Sequence, residues 1–231
     1  SRAWGPKMAW AFVQTKQNSG ASITSLVITL DAAAIVGDLL VVHVKIGGDP
    51  VTNLAATDNA STPNTYANTG IAQAATGLVV YQLYGVQVVG GATQVTVSWT
   101  ESRSARITVD EFSGGAASNA AVFDTASSGS GSGTSGSVTS FSPSAVGNLI
   151  SAGFGLTSGG AATAGANYVL STNQTNQSAE YRLSAAATET APMSWTNSGV
   201  WAAAAGSYKP AAAGAAGSSY YYRYYRDLVA A

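Results

Sequence analysis

The sequence predicts an all-β protein, an antiparallel β-sandwich of jelly-roll type built from two pseudo-repeated halves with a short aromatic C-terminal arm. Three observations predict this fold. Short segments rich in β-branched and aromatic residues are separated by Gly, Asn, Asp, Pro and Ser at the spacing of strands in a sandwich or barrel. No window keeps a 3.6-residue apolar period for more than one or two turns. The same elements also occur twice, in the same order.

Three short elements make up the repeat. They are VGDLL at 36–40, YQL at 81–83 and SWT at 98–100 in the first half, and VGNLI at 146–150, YRL at 181–183 and SWT at 194–196 in the second. Each half then closes on a strand that ends in an aromatic residue, Phe112 or Tyr208. Repeated units of this kind rarely bury their apolar faces alone. We therefore predict two face-to-face sheets with strands from both halves, and with Trp99 and Trp195 buried.

Strands are predicted for each half from short apolar runs. The ranges are 9–15, 22–30, 38–46, 51–57, 78–87, 94–99 and 105–112 in the first half, and 136–141, 148–156, 168–172, 179–184, 192–196 and 200–208 in the second. Alternation supports them because successive side chains of a strand point to opposite faces. Val95, Val97 and Trp99, for example, share one face.

Two stretches of small residues divide the chain. Residues 127–137 have the Gly/Ser composition of a flexible linker and either join two small sandwiches or form a crossover loop within one. We favour one sandwich, because half-chains of roughly 90 residues with few large apolar side chains would have marginal cores. The predicted organisation is an N-terminal arm (1–7), one sandwich domain (8–210, with halves of about 8–126 and 138–210), an Ala/Gly linker (211–217) and a Tyr/Arg-rich arm (218–231).

Composition excludes several classes of protein. Only 9% of the residues are charged, against roughly 25% in typical soluble proteins. The net charge of −1 gives no basic stripe for nucleic acid. There is no cysteine for disulfides or thiolate metal sites, and no apolar run of about 18 residues that would span a membrane. A surface of hydroxyl and amide groups is common in virion and extracellular proteins.

Catalytic candidates are few. The only histidine, His43, is predicted to be a partly exposed residue of a sheet, because a zinc site needs three or four ligands. Asp110 with Glu111, and Glu101, are the candidates for the carboxylate pair of a glycosidase. Neighbours on a strand face opposite ways, so Asp110 and Glu111 are predicted to be edge or solvent-facing charges. We expect no enzyme activity and no cofactor.

One loop contains oxygen ligands of the kind that calcium prefers. Asp49, Asp58, Asn59 and Asn64 lie near or within the segment that ends at Tyr66. Asp49, Asp58 and Asn59 are the candidate ligands. Asn and Asp are also ordinary turn residues, and this interpretation is the one we favour.

Several segments resemble a known class of domain. They are 34–47 (AIVGDLLVVHVKIG), the loop at 57–66, 91–114, 146–154 and the closing strand at 201–209. In these segments the chain resembles β-sandwich domains of jelly-roll type from phage structural proteins and from bacterial or environmental secreted surface proteins. The resemblance covers residues 8–210 and implies a structural role without catalytic residues. The aromatic C-terminal segment lies outside it.

The C-terminal arm is the most distinctive segment. Positions 220–226 hold five tyrosines and two arginines in succession. Tyr and Arg are enriched at the centres of protein interfaces, because each combines a large contact area with a hydrogen-bonding end. The predicted partner-binding residues are Tyr220, Tyr221, Tyr222, Arg223, Tyr224, Tyr225, Arg226 and Leu228. The arm is expected to become ordered against another subunit; the alternative is that it folds back on its own domain.

The function predicted from the sequence is a non-enzymatic structural or assembly protein. It would lie on the surface of a virion, as a phage decoration, tail or fibre component, or in an extracellular filament. Its partners would be further copies of itself or other structural subunits, with a glycan possible on the surface and no nucleic acid. The alternative is a secreted carbohydrate-binding β-sandwich module, which would need an exposed row of aromatic side chains.

Overall fold

The computed structural model describes residues 10–212, apart from the side chains of residues 71 and 72. This part of the chain forms twelve strands and one single-turn helix. In chain order they are β1 (Ala11–Thr29), β2 (Leu39–Gly47), β3 (Ala55–Asp58), β4 (Ala67–Ala75), β5 (Leu78–Val86), β6 (Gln94–Ser113), α1 (Asn119–Val122), β7 (Phe123–Gly136), β8 (Leu149–Leu156), β9 (Ala162–Ala164), β10 (Val169–Gln174), β11 (Gln177–Arg182) and β12 (Met193–Tyr208). The predicted all-β class is confirmed.

Two antiparallel sheets of six strands pack face to face. The first has the order β1-β6-β2-β5-β4, with β3 also pairing with β6. The second has the order β7-β12-β8-β11-β10, with β9 also pairing with β12. Each strand of the second sheet therefore occupies the same place as the strand of the first sheet whose number is lower by six, so that β7 corresponds to β1 and β12 to β6. The predicted sandwich of two similar halves is confirmed.

Each sheet is made by one half of the chain. The expectation that each sheet draws strands from both halves, as in a jelly roll, is wrong. The reason is the length of β1 and β6, which pair from Ala11↔Ser113 to Thr29↔Gln94 and so satisfy their backbone groups within the first half. The pairing of β12 with β7 does the same in the second half.

A bend in each long ribbon gives each half its own core. The β1–β6 register shifts between Gly20 and Ser25, and beyond that point β6 pairs with β3 instead of β2. The ribbon thus folds over the outer face of its sheet and buries Trp99 there. The second half repeats the arrangement around Trp195. The predicted burial of both tryptophans is confirmed, and two pairs of strands predicted in the first half merge into β1 and β6.

The structure also corrects the alignment of the halves at one element. Leu40 pairs with Gly85, and its equivalent Ile150 pairs with Arg182. The structural equivalent of Tyr181 is therefore Tyr84, three residues after Tyr81, the equivalent that the sequence suggested. Phe112 and Tyr208 do occupy equivalent places, because they pair with Leu39 and Leu149 respectively.

The Gly/Ser tract is a strand and not a connection. Residues 127–136 belong to β7, which pairs with β12 along most of its length. Glycine is needed here because the chain passes over the indole of Trp201. A Cβ atom would lie 2.9 Å from this ring at Gly131 and 2.6 Å from it at Gly136. Packing against Trp201 therefore accounts for glycine at positions 131 and 136, within a tract whose composition resembles that of a linker.

The first prediction concerns this contact. Gly136→Ala should lower the free energy of unfolding by about 1–3 kcal/mol, because the new methyl group overlaps the Trp201 ring. Ser132→Ala, at an exposed position of the same strand, should change it by less than about 0.5 kcal/mol. Chemical denaturation measures both. Equal stabilities for the two variants would contradict the packing described for β7.

Candidate functional site

Strands β2 and β8 face each other across the interface between the halves, to which β4, β5, β7 and β12 also contribute. On β2 the residues that face the other half are Leu39, Val41, His43 and Lys45, and the opposing residues of β8 are Leu149, Ser151, Gly153 and Gly155. A Cβ atom at Gly153 would lie 2.5 Å from His43 Nδ1, and one at Gly155 would lie 2.8 Å from Lys45 Cγ. Glycines of one half therefore make room for large polar side chains of the other.

His43 lies at the centre of this interface. Only 1% of its surface is exposed, so the expected partly exposed histidine is wrong. The side chain is buried because β2 is an inner strand of its sheet and β8 covers the face that His43 occupies. His43 Nε2 lies 3.0 Å from Ser151 Oγ and 3.4 Å from Asp110 Oδ2, and Gln82 Nε2 lies 3.4 Å from Nδ1.

The two adjacent carboxylates are also buried. Asp110 is 0% exposed and Glu111 is 1% exposed, so the prediction of edge or solvent-facing charges is wrong. Asp110 accepts hydrogen bonds from Thr15 Oγ1 at 2.7 Å and from Ser171 Oγ at 2.7 Å. Glu111 accepts one from Gln14 Nε2. Asp110 lies on the face of β6 that the second half covers, and Glu111 lies on the opposite face, beside Gln14 of β1.

The Ser151–His43–Asp110 contacts do not form a catalytic triad. In a triad the carboxylate and the hydroxyl bind opposite nitrogens of the imidazole. Here both lie against Nε2, and the cluster is closed off between the sheets. Further hydrogen bonds cross the same interface, from Gln82 Nε2 to Ser151 O (2.8 Å) and from Gln177 Nε2 to His43 O (3.0 Å). The arrangement fixes how the halves are oriented.

The sequence reasoning missed two buried carboxylates of the second half. Glu180 is fully buried on β11 and accepts a hydrogen bond from the Gly165 N–H at 2.9 Å. Burial raises its pKa to about 8. Glu189 accepts a hydrogen bond from Tyr168 Oη at 2.6 Å and lies 3.2 Å from Arg182. No local motif marks either residue, because both are buried by segments distant in sequence.

The calcium candidates have protein partners. Asp58 accepts hydrogen bonds from the backbone of Ala60 and Asn64 and from Tyr66 Oη, and Asn59 binds the backbone of Thr93 and Gln94. Asp49 lies on a different loop, 3.4 Å from Arg103. Within residues 10–212, no group of three His, Cys, Asp or Glu side chains could hold a metal ion. The Asp58 and Asn59 side chains brace turns.

Both ends of the described chain lie at one end of the sandwich, which we call the arm-bearing end. Trp10 lies against Gly115, where a Cβ atom would be 2.8 Å from its ring. The Ala211 N–H donates to Gly114 O at 2.8 Å. The turns before β2 and β8 are at this end too. Its exposed apolar residues are Val36, Val88, Val146 and Leu183.

The arm at 1–7 and the predicted partner-binding residues lie outside the described residues. The latter are Tyr220–Tyr222, Arg223, Tyr224, Tyr225, Arg226 and Leu228.

Comparison with known proteins adds no family: no protein-family model matches the chain, and no curated protein is significantly similar to it. None of the helices in the described part of the chain is long and apolar enough to cross a membrane.

The second prediction tests the fit of His43 against Gly153. Gly153→Ala should lower the free energy of unfolding by about 2 kcal/mol, because the methyl group overlaps the imidazole. In a His43→Ala background the same change should cost at least about 1 kcal/mol less, because the overlap is removed. A double-mutant cycle by chemical denaturation measures this coupling. Strict additivity would contradict the direct contact.

The third prediction concerns the pH dependence of stability. The pKa of Glu180 is about 8 in the folded chain and about 4.5 in the unfolded chain. The unfolded state therefore loses its proton first, and the free energy of unfolding falls as pH rises between these two values. Glu180→Gln should match the unsubstituted chain at pH 5 and exceed its stability at pH 8 by on the order of 2–4 kcal/mol.

Thermal unfolding of both chains from pH 5 to pH 8.5 measures this difference. Glu101→Gln is the matched control, because the carboxylate of Glu101 accepts two hydrogen bonds from Thr52, which lower its pKa. This control should gain no stability as pH rises. A difference between Glu180→Gln and the unsubstituted chain that stays constant with pH would contradict the buried carboxylate.

Proposed function

We propose that the chain is a non-enzymatic structural or assembly protein on the surface of a virion, as a phage decoration, tail or fibre component, or in an extracellular filament. It docks through its terminal arms onto further copies of itself or onto other structural subunits. The observation that carries the proposal is the arm-bearing end. Both arms continue from that one end, where four apolar side chains are also exposed.

The distribution of polar groups supports a structural role. The groups with the chemistry of a catalyst, His43, Asp110 and Ser151, are enclosed between the sheets and bind each other. Substrates reach catalytic groups through a cleft or pocket, and the closed packing of β2 on β8 leaves none at this cluster. These residues instead join the halves into one body.

The composition of the arm at 218–231 supports docking. Its tyrosines and arginines have large contact areas and hydrogen-bonding ends, which protein interfaces favour. The segment that precedes the arm has the Ala/Gly composition of a flexible linker, which suits docking onto a neighbouring subunit. The four exposed apolar residues at the arm-bearing end offer a complementary surface on each copy.

The described residues lack the exposed row of aromatic side chains that a carbohydrate-binding module would need. Trp10, Trp99, Trp195 and Trp201 are all buried. None of the exposed large apolar residues between positions 10 and 212 is aromatic. Sugar rings that stack on proteins need an accessible aromatic face, so assembly is the function that we favour.

The fourth prediction concerns assembly. The full chain should form oligomers, and a chain truncated after Pro210 should be a folded monomer with an unchanged melting temperature, because the cores lie within the body. A full-length variant with serine in place of the five tyrosines at 220–225 is the matched control for length, and it should behave like the truncated chain. Analytical ultracentrifugation and thermal unfolding measure both properties.

A second pair of variants tests the arm-bearing end. Val88→Asp combined with Val146→Asp should weaken assembly of the full chain, whereas Val27→Asp, on the outer layer of the first half, should not. Full assembly by the truncated chain, or a monomeric full chain at high concentration, would overturn the proposed function.

A further inference from the structure

A polar pocket of about 440 Å³ lies between the halves, at the end opposite the arm-bearing end. The bend of β1, the end of β2, the middle of β6 and the turn between β10 and β11 surround it. Its polar side chains are those of Ser19, Lys45, Ser104, Arg106 and Asn176. A volume of this size accommodates a molecule as large as a monosaccharide.

Two cations lie side by side in this pocket. Lys45 on β2 and Arg106 on β6 are directly opposite each other in the antiparallel pairing of these strands. Like charges at such positions destabilise a sheet. None of the described residues that line the pocket is a carboxylate. Within residues 10–212 the two positive charges are therefore held together without a neutralising carboxylate.

The other cations of the described residues differ from this pair. Each of them lies within 4.0 Å of a carboxylate, in the pairs Lys16–Asp31, Arg103–Asp49, Arg182–Glu189 and Lys209–Asp124. Lys45 Nζ instead donates to the backbone oxygen of Leu156 at 2.8 Å, and Arg106 Nη1 to Gln174 Oε1 at 3.4 Å. Both acceptors are neutral and belong to the second half.

The environment of Lys45 is electrostatically unfavourable. Burial lowers the pKa of its ammonium group to about 8, and the neighbouring Arg106 contributes to the shift. An anion between the two cations would reverse this effect, because it would supply the opposite charge that the protein lacks there. The stem of Lys45 is held in place beside Gly155, so the cation is positioned before any ligand arrives.

We propose that this pocket binds a small, hydroxyl-rich anion such as a sugar acid or a sugar phosphate. Its carboxylate or phosphate group lies between Lys45 and Arg106. Its hydroxyl groups form hydrogen bonds with Ser19, Ser104 and Asn176. None of the described lining residues is aromatic, so recognition depends on charge and hydrogen bonds. This binding is additional to the proposed assembly function and takes place at the other end of the body.

The fifth prediction uses the full chain and three probes, glucuronate, glucose 6-phosphate and glucose, in isothermal titration calorimetry. At least one anionic sugar should bind, more tightly than glucose and more weakly as salt concentration rises. Comparison of the Kd values of glucuronate and glucose 6-phosphate shows whether the pocket prefers a carboxylate or a phosphate. Arg106→Gln, and separately Lys45→Met, should raise the Kd of that probe at least about tenfold, since each removes one charged hydrogen bond.

Arg103→Gln is the matched control, because it removes the same charge from the same strand without lining the pocket. It should leave the Kd within about threefold, because its charge is partly exposed, screened by solvent and paired with Asp49. The melting temperature of Arg106→Gln should not fall, because the substitution removes repulsion from Lys45. Lack of binding by both anionic probes, equally tight binding of glucose, or equal losses in Arg103→Gln and Arg106→Gln would overturn the proposal.

Discussion

The close approach of β2 and β8 determines the rest of the structure. Two inner strands, one from each half, can approach because β8 presents Gly153 and Gly155 to the side chains of His43 and Lys45. A hydrogen-bonded polar centre then lies beside the apolar contacts between the sheets, such as that of Tyr84 with Tyr208. Since these hydrogen bonds are directional, they orient the halves more strictly than apolar packing alone would. The arm-bearing end and the basic pocket are two ends of this single interface.

Local patterns were sufficient to predict much of the fold. Turn residues and alternation indicated an all-β chain, the VGDLL and VGNLI elements marked the starts of β2 and β8, and Trp99 and Trp195 were correctly placed in cores. The burial of His43 and Asp110 could not be predicted, because it depends on a strand more than 100 positions away from His43. Residues 127–136 were misread because glycine has low strand propensity, and the contacts that require it, with Trp201 at Gly131 and Gly136 and with the backbone of Ser137 at Gly129, are tertiary.

The two halves have the same topology but place different kinds of side chain at the interface between them. Along β2 the first half contributes His43 and Lys45, and along β8 the second half contributes Gly153 and Gly155 at the equivalent positions. Asp110, for example, corresponds to Gly206 by its place on the pairing strand. Such an asymmetric pair packs more closely than two identical faces would, since two histidines could not occupy the space of His43 and Gly153. The basic pair Lys45 and Arg106 is accordingly confined to one half.

The position of Trp10 and Ala211, near the two ends of the described residues, has a consequence for how the polypeptide can be connected. Trp10, the link at Gly114–Gly115 and Ala211 are neighbours, so the segment that joins the halves passes beside both ends of the body. The backbone could therefore be cut at that link and closed between the ends with a short peptide. Such a circular permutant would present the second half before the first and retain every strand pairing. The strands of each half pair only with strands of the same half. The fold therefore does not require the first half to be synthesised before the second.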